Sequence, residues 1–135
     1  MPETNRELDV RVHQEVFGVE VEFRPLTNYN GYLIPEDWYP VGAIHHPANA
    51  IPHYSSDIAA AWKVVEFMLD WNGPHWWDDC SMRSHRSQDA QSWSWGAGFR
   101  RNGFPNDDLI VEARADTWPL AICRAALLAM ETENA

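Results

Sequence analysis

Leu8, Val12 and Val16 recur every fourth residue near the start of the chain, with Val10 and Phe17 on their flanks. That spacing lays one apolar stripe along a helix. Thr4 and Glu7 fit a capping box, in which the hydroxyl accepts an orphan N–H and the carboxylate reaches back to the cap. Gly18 suits a left-handed stop, so the pattern predicts a first helix of about 14 residues. Val19, Val21 and Phe23 then alternate with Glu20, Glu22 and Arg24, the period of a half-buried strand that Pro25 ends. Residues 25–54 show neither period. They hold Pro25, Pro35, Pro40, Pro47 and Pro52 and the turn pair Asn30-Gly31, and read as a long loop rich in proline and aromatic residues. Tyr29, Tyr32, Trp38 and Tyr39 within it need packing partners, which argues against plain disorder.

A second helix starts at Ser55 or Ser56, with Asp57 in its first turn complementing the positive end of the dipole. Ile58, Trp62, Val65 and Leu69 fall on one face, predicted to be buried, and Asn72-Gly73-Pro74 stops the helix. His75 to Cys80 reads as a short strand with Trp77 inward, and residues 81–91 as a polar loop. Trp93, Trp95, Ala97 and Phe99 alternate, as do Leu109, Val111, Ala113 and Ala115. With turn residues between them, the two runs predict an antiparallel hairpin. Asp116 or Thr117 caps a third helix that tolerates Pro119 in its first turn. Its buried stripe is Leu120, Cys123, Leu127 and Met130, and the tail from Glu131 to Ala135 is predicted to fray. The order predicts an α+β fold: three helices around a small, mainly antiparallel sheet, in layers.

Length and composition narrow the function. A chain of 135 residues fits a single domain over 1–135. Hydrophobic residues make up 45% and charged residues 22%, a globular balance. The net charge of −10 disfavours a general nucleic-acid coat and an anionic membrane surface, because phosphate repels a net anion. No apolar run approaches the length of a membrane span. The start of the chain lacks the basic patch and apolar run of a signal peptide. Cys80 and Cys123 form no disulfide framework, which fits a reducing cytosol.

Two stretches carry a resemblance. Tyr54-Ser55-Ser56-Asp57-Ile58-Ala59-Ala60-Ala61-Trp62-Lys63-Val64-Val65-Glu66 resembles the central helix of the phage ABA sandwich domain family. Residues 115–129, beginning Ala115-Asp116-Thr117-Trp118-Pro119, are similar to that family's C-terminal helix. Arg6-Glu7-Leu8 and Val16-Phe17-Gly18 are similar too, more weakly. The resemblance implies phage origin and an α–β–α layered fold; taken with the chain start and the cysteines, it makes the host cytoplasm the expected location. It brings no activity and no catalytic residues. The chain departs from the pattern in the 25–54 loop and in 75–104.

That second region holds the densest chemistry. Arg83, Arg86, Arg100 and Arg101 lie among Trp93, Trp95, Phe99 and Phe104, with Asp89 the one acid between residues 81 and 104. Planar guanidiniums take phosphate bidentately and aromatic faces stack bases. Gly96 and Gly98 allow close backbone approach. The expected site is therefore Arg83, Arg86, Arg100 and Arg101 for phosphate, with Trp76, Trp77, Trp93 and Trp95 for stacking; the plainer alternative is aromatic core and arginines paired to surplus acids. No GxxxxGK[ST], GxGxxG or GxSxG motif occurs. His45, His46, His53 and His75 are the metal-ligand candidates, at spacings that match no zinc pattern, so neither metal nor cofactor is expected.

These features favour a non-enzymatic accessory protein that binds a small nucleotide-like ligand and sequesters a host defence signal, in a pocket that a homo-oligomer would share. The alternatives are an acidic inhibitor of a host protein, working through charge steering and aromatic anchors, and a metal-dependent hydrolase built on the loop histidines.

Overall fold

The computed structural model describes residues 3–70, 72–75, 77–86, 93–102 and 109–133, with the side chains of His85 and Trp93 outside that description. Helix α1 (Asn5–Arg11) opens with the predicted capping box: Thr4 Oγ1 accepts from the Glu7 N–H at 3.1 Å, and the Thr4 N–H donates to Glu7 Oε2. The helix then widens into a π turn, Val12–Val16. A strict α-helix drifts about 40° for every four residues. The wider turn offsets that drift and keeps Leu8, Val12 and Val16 all buried. Gly18 takes a left-handed φ of +70°, where glycine escapes the Cβ clash.

Residues 25–40 depart from the expected loop, while 41–54 hold no strand and one short helical turn at Pro47–Asn49. Strands β1 (Val21–Arg24), β2 (Thr27–Tyr29), β3 (Tyr32–Ile34) and β4 (Asp37–Pro40) form one long hairpin arm. Arg24 pairs with Asp37, and three residues further Thr27 pairs with Ile34, so both ladders keep a single register. Pro25 and Pro35 interrupt the ladder between them, since proline brings no N–H. The arm closes on Asn30 (φ +53°) and Gly31 (φ +85°), the two positive φ values of a type I′ turn. Proline thus removes ladder hydrogen bonds and hides the strand period, yet leaves the pairing intact. Tyr39 and Ile34 point inward and are buried, and the Ile51 N–H extends the pairing to Trp38 O at 3.0 Å.

Helix α2 (Ile58–Leu69) is capped by Asp57, whose carboxylate accepts from the Ala59 N–H at 2.9 Å, and not by Ser55 or Ser56. Ser55 instead donates its backbone N–H to the buried Asp9 carboxylate at 2.7 Å. The buried face is also rotated from the one expected. Ala60, Ala61, Val64, Val65 and Met68 are inside, while Ile58 and Trp62 remain 51% and 44% exposed. The small alanines explain it. They let α2 approach α3 (Trp118–Glu133) closely, and α3 answers with Ala121, Ala125, Ala126 and Ala129. Interhelical distance depends on the side chains at the contact. Cys123, Leu127 and Met130 are buried as expected, whereas Leu120 is only half-buried. The helix continues through Glu133, beyond the predicted fraying point.

Strands β5 (Asp79–Arg86), β6 (Trp93–Arg101) and β7 (Leu109–Ala115) form a three-stranded antiparallel sheet in the order β5-β6-β7. The β6–β7 antiparallel pairing is as predicted; the turn expected between them, at 103–108, lies outside the described residues. Strand β5 is the correction here: residues 81–86, expected in a polar loop, are paired along their whole length to β6. Ser81 and Arg83 hide the strand because their face meets solvent, and Arg86 is exposed at its end. Cys80, Met82, Ala97, Phe99, Val111 and Ala115 pack on the helices from the other face. The result is an α+β fold of layered helices and antiparallel sheet. No described helix is long and apolar enough to cross a membrane.

Candidate functional site on the exposed sheet face

The register of the three strands sorts the polar residues of 79–114 into rows. Arg83, Gly96 and Arg114 stand opposite one another across β5, β6 and β7. The next row toward Asp79 is Ser81, Gly98 and Glu112, and the one after it is Asp79, Arg100 and Ile110. Neighbouring strands lie about 4.8 Å apart and rows on one face about 7 Å apart. All three rows are on the face away from the helices, where Ser81, Arg83, Glu112 and Arg114 are exposed.

With glycine in the middle of two successive rows, the central strand carries no side chain there. A shallow groove of about 200 Å³ results, walled by Ser81 and Arg83 on one side and Glu112 and Arg114 on the other. The room over Gly98 is already shared. A Cβ at that position would meet Glu112 Cγ at 3.0 Å, Val111 O at 3.2 Å and Ser81 Oγ at 3.3 Å. The Glu112 stem and the Ser81 hydroxyl therefore lean in over the glycine from opposite sides. No ion pair or hydrogen bond joins the side chains of Arg83, Arg114 or Glu112 to another described residue. That is notable in a chain with twenty acidic residues. Exposed pairs form readily but gain little, so unpaired guanidiniums here keep their donors free for an incoming acceptor.

A model of the phage ABA sandwich domain matches residues 12–127. The chain belongs to the phage ABA sandwich domain family. No curated protein and no solved structure matches it. The groove lies wholly inside the family stretch, whereas Arg6 and Asp9 in α1 and Glu133 at the end of α3 lie outside it.

The arginine and tryptophan residues expected to form one site are divided by the sheet. Arg83 and Arg100 share the exposed face, and Arg100 is held by Asp79 with N–O distances of 2.6 and 3.0 Å. Arg86 is exposed at the end of β5, on the opposite parity. Arg101 belongs to the helix side. It donates to Glu133 Oε1 at 2.7 Å and to the His75 carbonyl, and its guanidinium lies 4.6 Å from the centroid of the Trp77 ring. Trp77 is 1% exposed, so it is core and cannot stack a ligand. Its indole N–H donates to Glu133 Oε1 at 2.8 Å. Trp95 is half-buried on the helix side, edge-on to Trp118 at 5.1 Å. Trp76 and the Trp93 side chain lie outside the described residues. The helix-side arginine and tryptophans follow the plainer alternative, core aromatics and paired cations; Arg83 does not.

The histidines do not converge. His46 Nδ1 accepts from the Ala48 N–H at 3.0 Å, and His45 lies edge-on to Tyr39. His53 is exposed, 3.9 Å from Asp9. His75 is buried between Glu133 Oε2 (3.0 Å) and Val16 O (2.7 Å). Among the described residues no group of three or more His, Cys, Asp or Glu is placed to hold a metal ion. Cys80 packs half-buried against the core, and burial pushes its thiol up to about 11, which leaves little thiolate at neutral pH.

Arg114, Glu112 and Ser81 were not among the expected site residues. The signal was present in 109–115, where Ile110, Glu112 and Arg114 are the alternate positions of an apolar alternation. It becomes readable only once β5 is a strand and its register puts Arg83 opposite Arg114.

Proposed function

We propose that this phage protein is a small-molecule binder whose exposed sheet face takes an anionic, nucleotide-like ligand, with Arg83 and Arg114 gripping its phosphate across Gly96. One observation supports this above the others: two guanidiniums with no ion-pair partner among the described residues stand in one row with only a glycine between them. Each can offer a planar fork of donors to phosphate oxygens, and the glycine lets the ligand settle onto the backbone. Ser81 lies in the neighbouring row and extends the groove; Arg100, one row further on, is held by Asp79. Among the described residues no hydrogen-bonded nucleophile and base line the groove, and the role we propose is retention rather than turnover. Within a host cell it would withhold a signalling nucleotide from its receptor.

Thermal denaturation against mono-, di- and cyclic nucleotides and inorganic pyrophosphate tests the reading. A ligand at about 100 times its dissociation constant adds about 2.7 kcal/mol. Arg83→Ala with Arg114→Ala should abolish the shift, and a shift that survives both substitutions refutes the site.

A second reading, a protein inhibitor, has one specific observation in its favour. The hairpin arm and its base expose Phe23, Leu26, Tyr29, Tyr32, Leu33, Val41 and Ile44, with Glu20, Glu22 and Glu36 close by in sequence. An exposed apolar patch rimmed by charge is a common mark of a protein contact. A flat nucleotide panel combined with salt-sensitive capture of one host protein, lost in Tyr29→Ser/Tyr32→Ser, would favour this reading.

A further inference from the structure

The groove has two unlike ends. About 7 Å from the Arg83–Gly96–Arg114 row, the neighbouring row presents the Glu112 carboxylate and the Ser81 hydroxyl across Gly98. A site built only for anions would gain nothing from a carboxylate in its wall, since it repels the ligand it serves. Glu112 is not tied to either arginine by an ion pair. Its stem lies against the space over Gly98, so the side chain leans over the groove it lines.

Resting on the anion-binding reading above, we infer that Glu112 is a specificity residue which selects ligands carrying adjacent N–H donors, and that the preferred ligand class is a guanine nucleotide over an adenine nucleotide. An ionised carboxylate is acceptor-only, with two oxygens side by side. The guanine edge presents N1–H and the exocyclic amine as two parallel donors, which fit it as a fork. The adenine edge presents one amine beside the N1 lone pair, so a carboxylate that accepts from the amine meets a second acceptor. That mismatch supplies repulsion against the wrong base as well as attraction for the right one. Ser81, with both a donor and acceptor lone pairs, can satisfy the remaining polar atoms from the opposite wall.

The test is calorimetric titration of the full chain with GDP, ADP and pyrophosphate, for the natural sequence and for Glu112→Gln, with circular dichroism confirming that both are folded. Glutamine keeps the shape but replaces one acceptor with a donor, and at an exposed strand position it is expected to fold normally. The expected result is at least tenfold tighter binding of GDP than ADP in the natural sequence. In Glu112→Gln that ratio should fall to near unity while pyrophosphate binding is kept or strengthened. Equal binding of the two nucleotides, or a GDP preference that survives Glu112→Gln, overturns the inference and leaves the anion site standing. Absence of binding by all three probes overturns both.

Discussion

The two faces of the β5–β7 sheet use the same residue types to opposite ends. On the helix side Arg101, Trp77 and His75 converge on Glu133, and the carboxylate accepts from all three. On the exposed side Arg83, Arg114 and Glu112 stand within one groove and form no ion pair with a described residue. Burial is the difference. A polar group taken out of water needs a partner, so the inner cluster is closed and ties the end of α3 to β6 and to the turn after α2. A group left in water has no such requirement, so an unpaired outer cluster costs little to keep. Within one short stretch of sequence, arginine therefore is a buried-side clamp at one position and an exposed cation without an ion pair among the described residues at another.

Removing Glu133 should break the inner side hardest. In Glu133→Ala, His75, Trp77 and Arg101 all lose the same acceptor, and two of these donors are buried. Hydrogen bonds to charged groups are worth about 1.5–3 kcal/mol each, and orphaned buried donors add to the loss. The partial exposure of Arg101 reduces the sum. The expected loss is about 3 kcal/mol, or about 10 °C in Tm for a chain of this size, read by thermal denaturation. Glu133→Gln, which keeps one acceptor, should fall between. A change below about 1 kcal/mol would mean that the cluster does not act as a clamp.

Gly98→Ala probes the outer side and the sheet together. The new Cβ would lie 3.0 Å from Glu112 Cγ and 3.3 Å from Ser81 Oγ, both of which can swing away. Val111 O at 3.2 Å cannot, because it belongs to the backbone of the paired strand. Overpacking of this kind costs about 1–2 kcal/mol, and the methyl group fills the groove floor. Chemical denaturation should show that loss, with ligand-induced stabilisation abolished. Unchanged ligand response would place binding elsewhere.

A smaller effect comes from His13, part of the satisfied interior. Its Nδ1 lies 2.7 Å from Tyr54 Oη. Burial holds the phenol well above its usual range, so it stays a donor and the imidazole accepts in its neutral form. Burial lowers the His13 pKa in the folded state from the ordinary 6.5. In the window between the two values the unfolded chain binds the extra proton, so stability is lost as pH falls below about 6.5. His13→Gln, which can still accept from Tyr54, lacks that proton. The Tm of the natural sequence should therefore fall relative to the variant between pH 7.5 and 5.5. Parallel curves would show that His13 takes no part in the acid response.

What the sequence revealed follows the same division between buried and exposed. The β6–β7 pairing and the Cys123–Leu127–Met130 stripe are legible because burial imposes a period on them, and the exposed capping box because the Thr4–Glu7 spacing is a local hydrogen-bonding motif. Strand β5 and the hairpin arm are not. In β5 the exposed face accepts any residue, and in the arm Pro25 and Pro35 break the hydrogen bonds without breaking the register. On α2 the expected face was turned because bulk was taken for burial: Trp62 and Ile58 are outside while Ala60 and Ala61 make the helix contact. Arg83 was found as part of an arginine cluster, but its partner Arg114 lies 31 positions further on and only the three-strand register joins them.

The smallest expected effect is also the sharpest test of the comparison. Arg83→Ala and Arg114→Ala remove exposed side chains that make no ion pair with a described residue. Surface changes away from such features stay within about 0.5 kcal/mol. Removing either cation also takes net positive charge from a chain at −10, which adds a slight, salt-screened repulsion. The unliganded Tm of each variant should therefore match that of the natural sequence in 0.15 M salt, while Arg101→Ala, one strand inward, should lower it by several degrees through its lost contact with Glu133. A loss of stability in Arg83→Ala equal to that in Arg101→Ala would mean that the outer arginines are structural after all, and the distinction between the two faces would collapse.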